Sequence, residues 1–462
     1  MKNKDYFNVI IVSASGLFTL IVSTLLGFVL PKLVSIDDYA YYQVYALYTS
    51  FAGFLHLGFV NGVYLRYGAF DYEKLPQEKF RKYFRILLLT QVIISIIIAI
   101  ATQILITGNK RYVFLFVAVN ITLLNLNSYF SYINQFTKRF LMDSIFSIIQ
   151  SLIQILLMIW VCMTEYKSYI YILLFLSISN IIRLLCSLSI NRKICFGKTN
   201  KIKIFDDIQK IIKAGFFIMI SEWMGIVITS IDKLFVDTFF DVKLFSFYAF
   251  AISVVTAIYS VINISCTVVF PYLVRADKNK YSLYYNQLSN LFIILAGIVM
   301  CGYLPLDYMI RMLLPQYIHS LKYIFILFPT IIFKALFSMV SGNMYKAMQL
   351  SKEYSKNTIF ALTIACISDA IAYIAFKSTY AIAIASLLTF VIWYIYTDIF
   401  FIKKLYIEIK EYIFRWGLII LEISLFVILL NEGMIFKWGI YVVFNVVMLL
   451  VYVYKLMKIR RR

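Results

Sequence analysis

Residues 86–106 read ILLLTQVIISIIIAIATQILI, a stretch without a single charged side chain, and they decide the class of fold. A helix that crosses the hydrocarbon core of a bilayer needs about 20 mostly apolar residues. Comparable stretches follow one another along the whole chain and are separated by short polar segments. The sequence therefore predicts an all-α, polytopic membrane protein.

The composition supports a membrane protein. Of the 462 residues, 62% are hydrophobic and 15% are charged, whereas soluble proteins carry about 25% charged residues. The six cysteines lie apart without a CxxC pair, and there are two histidines. Neither a disulfide framework, a metal site nor a bound cofactor is expected from this pattern.

The apolar stretches predict about fourteen transmembrane helices, at residues 8–30, 40–63, 86–106, 113–134, 142–163, 169–190, 214–236, 246–269, 288–306, 322–343, 358–376, 380–401, 416–431 and 438–455. With a cytoplasmic amino terminus, most of the 44 lysines and arginines fall in the segments that face the cytoplasm. Both termini are therefore expected in the cytoplasm. The net charge of +21 is explained by this topology, and no nucleic-acid partner is expected.

A long basic loop and a weak internal repeat predict the domain organisation. We expect an N-terminal lobe of six helices at 1–190, a basic cytoplasmic linker at 191–213, a C-terminal lobe of six helices at 214–401, and a final helix pair with a basic tail at 402–462. Residues 36–42, IDDYAYY, are echoed by 241–248, DVKLFSFY, and 64–66, YLR, by 273–275, LVR. Two copies in the same orientation predict pseudo-symmetric lobes with a cavity between them.

Several motifs resemble a known family. They are 35–42, SIDDYAYY; 53–58, GFLHLG; 61–68, NGVYLRYG; 231–233, IDK; and 314–317, LPQY. They resemble the oligosaccharide flippases of bacterial capsule and O-antigen synthesis, within the multidrug, oligosaccharidyl-lipid and polysaccharide exporter superfamily. Fourteen helices favour the polysaccharide branch over the drug exporters, which usually have twelve. The lipid II flippases of the superfamily place an arginine in the first helix, but residues 8–30 contain none.

The resemblance implies a transporter and not an enzyme. It implies alternating access, with an undecaprenyl-diphosphate-linked oligosaccharide moved to the outer leaflet of the bacterial plasma membrane. Membrane lipids and, further along the pathway, polysaccharide polymerase and chain-length machinery are the implied partners, and a monomer is expected. The sugar cannot be read from the sequence.

Four cations are candidates for binding a diphosphate: Arg66, Arg183, Arg275 and Lys334. Arginine binds phosphate oxygens through two parallel hydrogen bonds. Arg66 and Arg275 end equivalent helices of the two predicted lobes, although an arginine at a cytoplasmic helix end is also what orientation alone predicts. Arg183 and Lys334 lie deeper in their predicted spans.

Three carboxylates, Glu222, Asp232 and Asp369, are candidates for ion coupling. Glu222 and Asp232 would share one face of the seventh predicted helix, about 15 Å apart along its axis. Desolvated carboxylates can load and release a proton or sodium ion, so either gradient is a possible energy source. The alternatives are structural: Asp232 at the outer interface, Glu222 as a cap at a helix contact, and an ion pair between Asp369 and Lys334.

Two other functions remain open at this point. An ion-coupled exporter of small molecules from the same superfamily would favour an acidic, aromatic cavity. A membrane glycosyltransferase or polymerase could use an acidic pair such as Asp37 and Asp38, but the surrounding loop is short. Ser35 and Asp38 are better interpreted as the start of a helix, with the hydroxyl as its cap.

Overall fold

The computed structural model describes residues 3–199, 204–264, 273, 277–430 and 434–460. Within these ranges the chain is helical and contains no β-strand, which confirms the expected all-α fold. In chain order the helices are α1 Asn3–Leu33, α2 Ile36–Ser50, α3 Phe59–Tyr67, α4 Gln77–Leu105, α5 Lys110–Phe136, α6 Phe140–Met163, α7 Tyr169–Ile190, α8 Arg192–Cys195, α9 Phe205–Ile228, α10 Ile231–Phe239, α11 Val242–Ile264, α12 Tyr281–Met300, α13 Tyr303–Leu313, α14 Ser320–Leu327, α15 Thr330–Ala335, α16 Gly342–Ala347, α17 Ser351–Phe376, α18 Thr379–Leu405, α19 Ile409–Leu430 and α20 Ile435–Arg460. Short 3₁₀ segments and a π-helical segment, Leu336–Ser341, connect some of them.

The protein is a multi-pass membrane protein, but fourteen spans are not confirmed. In the described ranges twelve helices are long and apolar enough to cross a bilayer, and a pair bent by 46°, Ser320–Leu327 with Thr330–Ala347, could supply a thirteenth. The span expected at 40–63 is divided among α2, a 3₁₀ helix Ala52–His56, and α3. Each of these pieces is shorter than the roughly 20 residues that a bilayer requires.

The division of this span has a local cause. Leu57 and Gly58 both adopt left-handed backbone conformations, with φ of 53° and 80°. A right-handed helix cannot continue through two such residues, and a non-glycine residue rarely takes this conformation. The backbone N–H of Gly58 donates to Nδ1 of His56 at 3.1 Å, which stabilises the turn.

The interpretation of Ser35 and Asp38 as a helix start is confirmed. Ser35 is the N-cap of α2, and its Oγ accepts a hydrogen bond from the backbone N–H of Asp38 at 3.1 Å. The Asp38 carboxylate in turn accepts from the Ser35 hydroxyl and, at 2.8 Å, from the backbone N–H of Tyr169 at the start of α7. Both oxygens of Asp38 are thus used to hold the ends of two helices.

Contacts within the chain define two compact units, Met1–Ser230 and Ile231–Arg462. In the first unit α1 packs on α6, α4 on α5, and α3 on α9. Buried aromatic side chains from α3, α4 and α5, such as Phe59, Tyr83 and Phe130, form much of its core. The predicted lobes and linker at 1–190, 191–213, 214–401 and 402–462 remain a prediction.

The second unit is organised around three groups of helices. Helices α17 and α18 pack along each other across a short turn, α11 packs on α14, and α12 contacts both α19 and α20. The final helices α19 and α20 are therefore part of this unit's packing. The ring of Tyr303 packs edge to face on the rings of Phe328 and Phe426, and the rings of Phe328 and Phe426 stack on each other.

The prediction of one continuous seventh helix is wrong. Helix α9 ends at Ile228 and α10 begins at Ile231, so Glu222 and Asp232 do not share a helix face. The hydroxyl of Thr229 donates to the carbonyl oxygens of Gly225 and Ile226, at 3.2 and 3.0 Å. The backbone N–H of Ser230 donates to the carbonyl oxygen of Val227, three residues back, at 3.0 Å, so the α-helical hydrogen bonding ends at this turn.

Candidate substrate-binding and coupling residues

Arg66 lies in the last turn of α3 and forms an ion pair with Asp207 of α9. Its Nη1 atom is 2.5 Å from Oδ1 of Asp207, and 38% of the Arg66 side chain is exposed. Asp207 also faces Lys79, at 3.6 Å, and accepts a hydrogen bond from the hydroxyl of Tyr83. Two cations therefore share one carboxylate, which leaves positive charge in excess at this place.

Helices α3 and α9 approach each other unusually closely because glycines face each other at the crossing. A Cβ atom on Gly62 would overlap the backbone of Ile211, and one on Gly58 would lie 2.5 Å from the backbone nitrogen of Phe216. A Cβ atom on Gly215 would overlap the backbone of both Gly58 and Gly62. The crossing therefore depends on these three glycines.

Glu222 lies further along the same face of α9. Its Oε2 atom accepts a hydrogen bond from the side-chain amide of Asn61, in α3, at 3.1 Å. Residues 61–68, the motif that carries part of the family resemblance, thus place Asn61, Gly62 and Arg66 along one contact with α9. Asp207 was not among the residues predicted from sequence, although its position beside Asp206 in a strongly basic region was a signal.

Arg183 is neutralised within its own unit. Its Nη2 atom lies 3.3 Å from Oδ1 of Asp143, and its Nη1 atom donates to the side-chain oxygen of Gln150 at 2.8 Å. The side-chain amide of Gln150 donates to Asn180, whose own amide donates to Asn120. This polar ladder across α5, α6 and α7 satisfies the charge inside the apolar bundle, as such charges require.

A second group of buried polar residues lies in the unit that begins at Ile231. The Oδ2 atom of Asp232 accepts hydrogen bonds from the hydroxyls of Tyr248 and Ser386, both at 3.0 Å. Asp369 lies on α17, which packs against α10, the helix of Asp232. Asp232 is 5% exposed and Asp369 1% exposed, and within the described ranges Oδ1 of Asp369 has no hydrogen-bond partner. The predicted Asp232 and Asp369 are thus brought together.

The cations near these carboxylates do not pair with them directly. Lys334 and Lys233 both interact electrostatically with Asp232. The ammonium of Lys334 lies 5.0 Å from the ring centroid of Phe390, and among the described residues it makes no ion pair with Asp369 within 4 Å. The alternative of a direct Lys334–Asp369 ion pair is therefore not supported. The remaining candidate, Arg275, lies outside the described residues.

Sequence reasoning missed a fully buried ion pair between α18 and α19. The side chains of Arg415 and Asp398 are both 0% exposed, and Nη2 of Arg415 lies 2.8 Å from Oδ1 of Asp398. Arg415 also donates to the side chain of Asn286, and Asp398 accepts from Tyr285 and Trp416. From sequence, Arg415 is one of several basic residues at 403–415, which predict a cytoplasmic segment but give no signal of a buried ion pair.

The fold is shared with solved transporters and flippases. One structure, described as the lipid II flippase MurJ in an inward closed conformation, superposes with a TM-score of 0.73 over 98% of this chain and 100% of the other, at 16% identity. A multidrug resistance MATE family transporter of the MOP superfamily, in an inward-facing conformation, gives 0.60 over 85% and 95%, at 13% identity. A mutant of the MATE transporter VcmN of Vibrio cholerae gives 0.52 over 89% and 100%, at 11% identity. The chain has the fold of a MOP-superfamily transporter.

The family follows from the sequence itself. Residues 7–277 match the model of a family described as polysaccharide biosynthesis protein. This match covers more than half of the chain, and the chain belongs to that family. A search of curated protein sequences gives no match.

Proposed function

We propose that the protein is a flippase that moves an undecaprenyl-diphosphate-linked oligosaccharide repeat unit from the cytoplasmic to the outer leaflet of the bacterial plasma membrane by alternating access. The family connects the chain with polysaccharide biosynthesis, and the shared fold connects it with transport. Capsule, O-antigen or another exopolysaccharide would be the product. Both termini face the cytoplasm in this proposal, and the flipped unit passes to polymerase and chain-length machinery.

The observation that carries the proposal is the ion pair of Arg66 at the crossing of α3 and α9. A diphosphate offers several anionic oxygens, and an arginine fork binds two of them in parallel. Arg66 is 38% exposed, so an incoming headgroup can reach it. A diphosphate at Arg66 would compete with Asp207 and would weaken one of the contacts that hold α9 against α3.

In this proposal, energy coupling depends on a second set of residues, Asp232 and Asp369. Asp232 and Asp369 are two buried carboxylates that repel each other unless a proton or a cation is shared between them. The hydroxyls of Tyr248 and Ser386 and the free oxygen of Asp369 supply oxygen ligands, which suit a proton or a small monovalent cation. Glu222 is assigned to the α3–α9 contact instead, because its partner is Asn61.

Arg66 also separates the flippase from its rivals. An exporter of small organic cations gains nothing from an arginine in its binding site, whereas a carrier of a diphosphate depends on one. Asp38, one of the pair that a glycosyltransferase would need, holds the backbone of Tyr169 and the hydroxyl of Ser35 instead of facing an open site.

The direct test is a flipping assay in proteoliposomes that contain labelled undecaprenyl-diphosphate oligosaccharide. Arg66→Ala is expected to slow movement of the label at least tenfold, and Arg66→Lys should restore only part of the rate because lysine lacks the fork. Lys74→Ala is the matched control, since Lys74 is a 74% exposed cation of the same region. Unchanged flipping in Arg66→Ala would exclude the proposed role of Arg66.

Coupling is tested in the same vesicles with imposed pH or sodium gradients. Asp232→Asn and Asp369→Asn are expected to remove the response to whichever gradient drives the wild type. Asp71→Asn, at a 67% exposed carboxylate, should leave it intact. A wild type that responds to neither gradient would show that these acids are structural.

A further inference from the structure

A cavity of about 530 Å³ lies in the second unit, where one helix ends and two others begin. Arg311 comes from the last turn of α13, Lys322 from the first turns of α14, and Tyr380 from the first turn of α18. Two candidate membrane spans, Lys278–Leu313 and Thr379–Leu405, end or start here. The cavity therefore lies at the depth where a membrane span meets the lipid headgroups.

The polar side of this cavity carries two cations with unused binding capacity. Arg311 is held by Asp307, to which its Nε atom donates at 2.7 Å, and its side chain is 56% exposed. In the described part of the chain, its two terminal amino groups have no protein partner. Lys322 is exposed and forms no ion pair among the described residues; its nearest aromatic contact is the ring of Tyr380, at 5.8 Å. Among the described residues, Asp307 is thus the one carboxylate within ion-pairing distance of either cation.

The other side of the cavity is a rigid apolar wall. The ring of Tyr380 stacks on Tyr323 with centroids 4.6 Å apart, and the hydroxyl of Tyr323 is bonded to that of Thr379 at 2.7 Å. Tyr303 and Phe325 pack edge to face at 5.5 Å. These rings are fixed by their neighbours before any ligand arrives, so little conformational entropy is lost on binding.

We propose that this cavity binds the phosphate of a membrane lipid, with the headgroup between Arg311 and Lys322 and the start of the apolar chain against Tyr303 and Phe325. The two terminal amino groups of Arg311 form a fork that matches phosphate oxygens, and Lys322 adds a point charge. A free phosphate ion would use the cations but not the aromatic wall. The proposal does not rest on the proposed function, since both an anionic phospholipid and a polyprenyl diphosphate carry the required group.

The test measures binding of short-chain lipids to the full-length protein in neutral detergent, by native mass spectrometry or thermophoresis. Dioctanoyl phosphatidylglycerol is expected to bind about tenfold more tightly than dioctanoyl phosphatidylcholine. Lys322→Gln should reduce this preference at least threefold, and Arg311→Lys should reduce it as well because the fork is lost. The control is Lys377→Gln, an exposed lysine at the turn that leads into α18.

Each arm of the experiment gives a decision. Tighter binding of a short-chain polyprenyl diphosphate than of phosphatidylglycerol would assign the site to the cargo lipid, and the reverse would assign it to bulk anionic lipid. Both results support the proposal.

Two results would overturn the proposal. Inorganic phosphate that competes as well as phosphatidylglycerol would overturn it, because the apolar wall would then be irrelevant. Equal effects of Lys377→Gln and Lys322→Gln would also overturn it, since surface charge alone would explain binding. Arg311→Lys and Lys322→Gln retain a side chain of similar length, and Lys322→Gln breaks no ion pair among the described residues, so misfolding would not mimic the expected result.

Discussion

Replacing Arg415 by methionine is expected to lower the free energy of unfolding by about 3 kcal/mol, because it leaves a carboxylate buried without its cation. Asp398 and Arg415 are both 0% exposed, so water cannot solvate the remaining charge. Asp398 would keep two neutral donors, the hydroxyl of Tyr285 at 3.0 Å and the indole N–H of Trp416 at 3.1 Å. These donors place the cost at the lower end of the range of about 3 to 5 kcal/mol for such truncations.

Removing the carboxylate instead, in Asp398→Leu, is expected to lower the free energy of unfolding by more than Arg415→Met does. Among the described residues, the guanidinium of Arg415 in Asp398→Leu keeps the side-chain oxygen of Asn286, at 2.7 Å, and the face of the Tyr285 ring, 5.1 Å away. We therefore expect a loss of about 5 kcal/mol. The double variant Arg415→Met, Asp398→Leu removes both charges of the pair and should lie within about 2 kcal/mol of the wild type, since apolar replacements of buried pairs are often neutral.

The measurement is reversible unfolding in mixed detergent and SDS micelles, followed by circular dichroism. The matched control is Arg311→Met, which breaks an Arg–Asp pair whose arginine side chain is 56% exposed and should cost less than about 1 kcal/mol. A loss below about 1 kcal/mol for Arg415→Met would refute the reasoning. Additive losses in the double variant would refute it too, because interacting residues must show a coupling energy.

Other contacts in the structure lead to three more predictions. Gly62→Ala should lower the thermal unfolding midpoint, because the new Cβ atom overlaps the backbone of Ile211. Gly53→Ala is the control, since no atom lies within 4 Å of the Cβ position at Gly53. Equal midpoints for the two variants would mean that the α3–α9 crossing is loosely packed. Asp38→Ala should cost about 1 kcal/mol by removing the bonds to Ser35 and Tyr169, and Asp37→Ala less, as measured by unfolding in SDS. Burial raises the pKa of the Cys195 thiol to about 12, so the reactive thiolate is scarce below that pH. A water-soluble maleimide should therefore label Cys195 at about pH 8 only after denaturation. Rapid labelling of Cys195 in the folded protein would contradict its 2% exposure.

The apolar stretches alone predicted most of the helices, since in a bilayer every backbone N–H and C=O must be satisfied within its own segment. The start of α2 was also local information, because an N-cap serine and an acid three residues later interact within one turn. The break after Ile228 was harder to predict. A threonine in an apolar helix usually continues it, and the helix end shows only in the backbone, where the N–H of Ser230 donates to the carbonyl oxygen of Val227 three residues back.

The candidate site was predicted as single residues and not as a set of contacts. Arg66 was found because it lies in a recognisable motif, but its partner Asp207 is more than a hundred positions away in the chain. Asp232 and Asp369 come from different helices, and nothing in their separate sequences gives the distance between them. The burial of Arg415 was not predicted, because charge density along the chain does not reveal which basic side chain is buried.

The sequence by itself determined the membrane environment, the all-α class and the polysaccharide biosynthesis family, because these depend on local hydropathy and on motifs that are read along the chain. Only the tertiary structure decided which charges neutralise each other, where the glycines of α3 and α9 allow close contact, and that Glu222 and Asp232 lie on two separate helices. The physical reason is that a buried charge is stabilised or destabilised by whatever lies within a few ångströms of it, and in a helical bundle those neighbours come from distant parts of the chain.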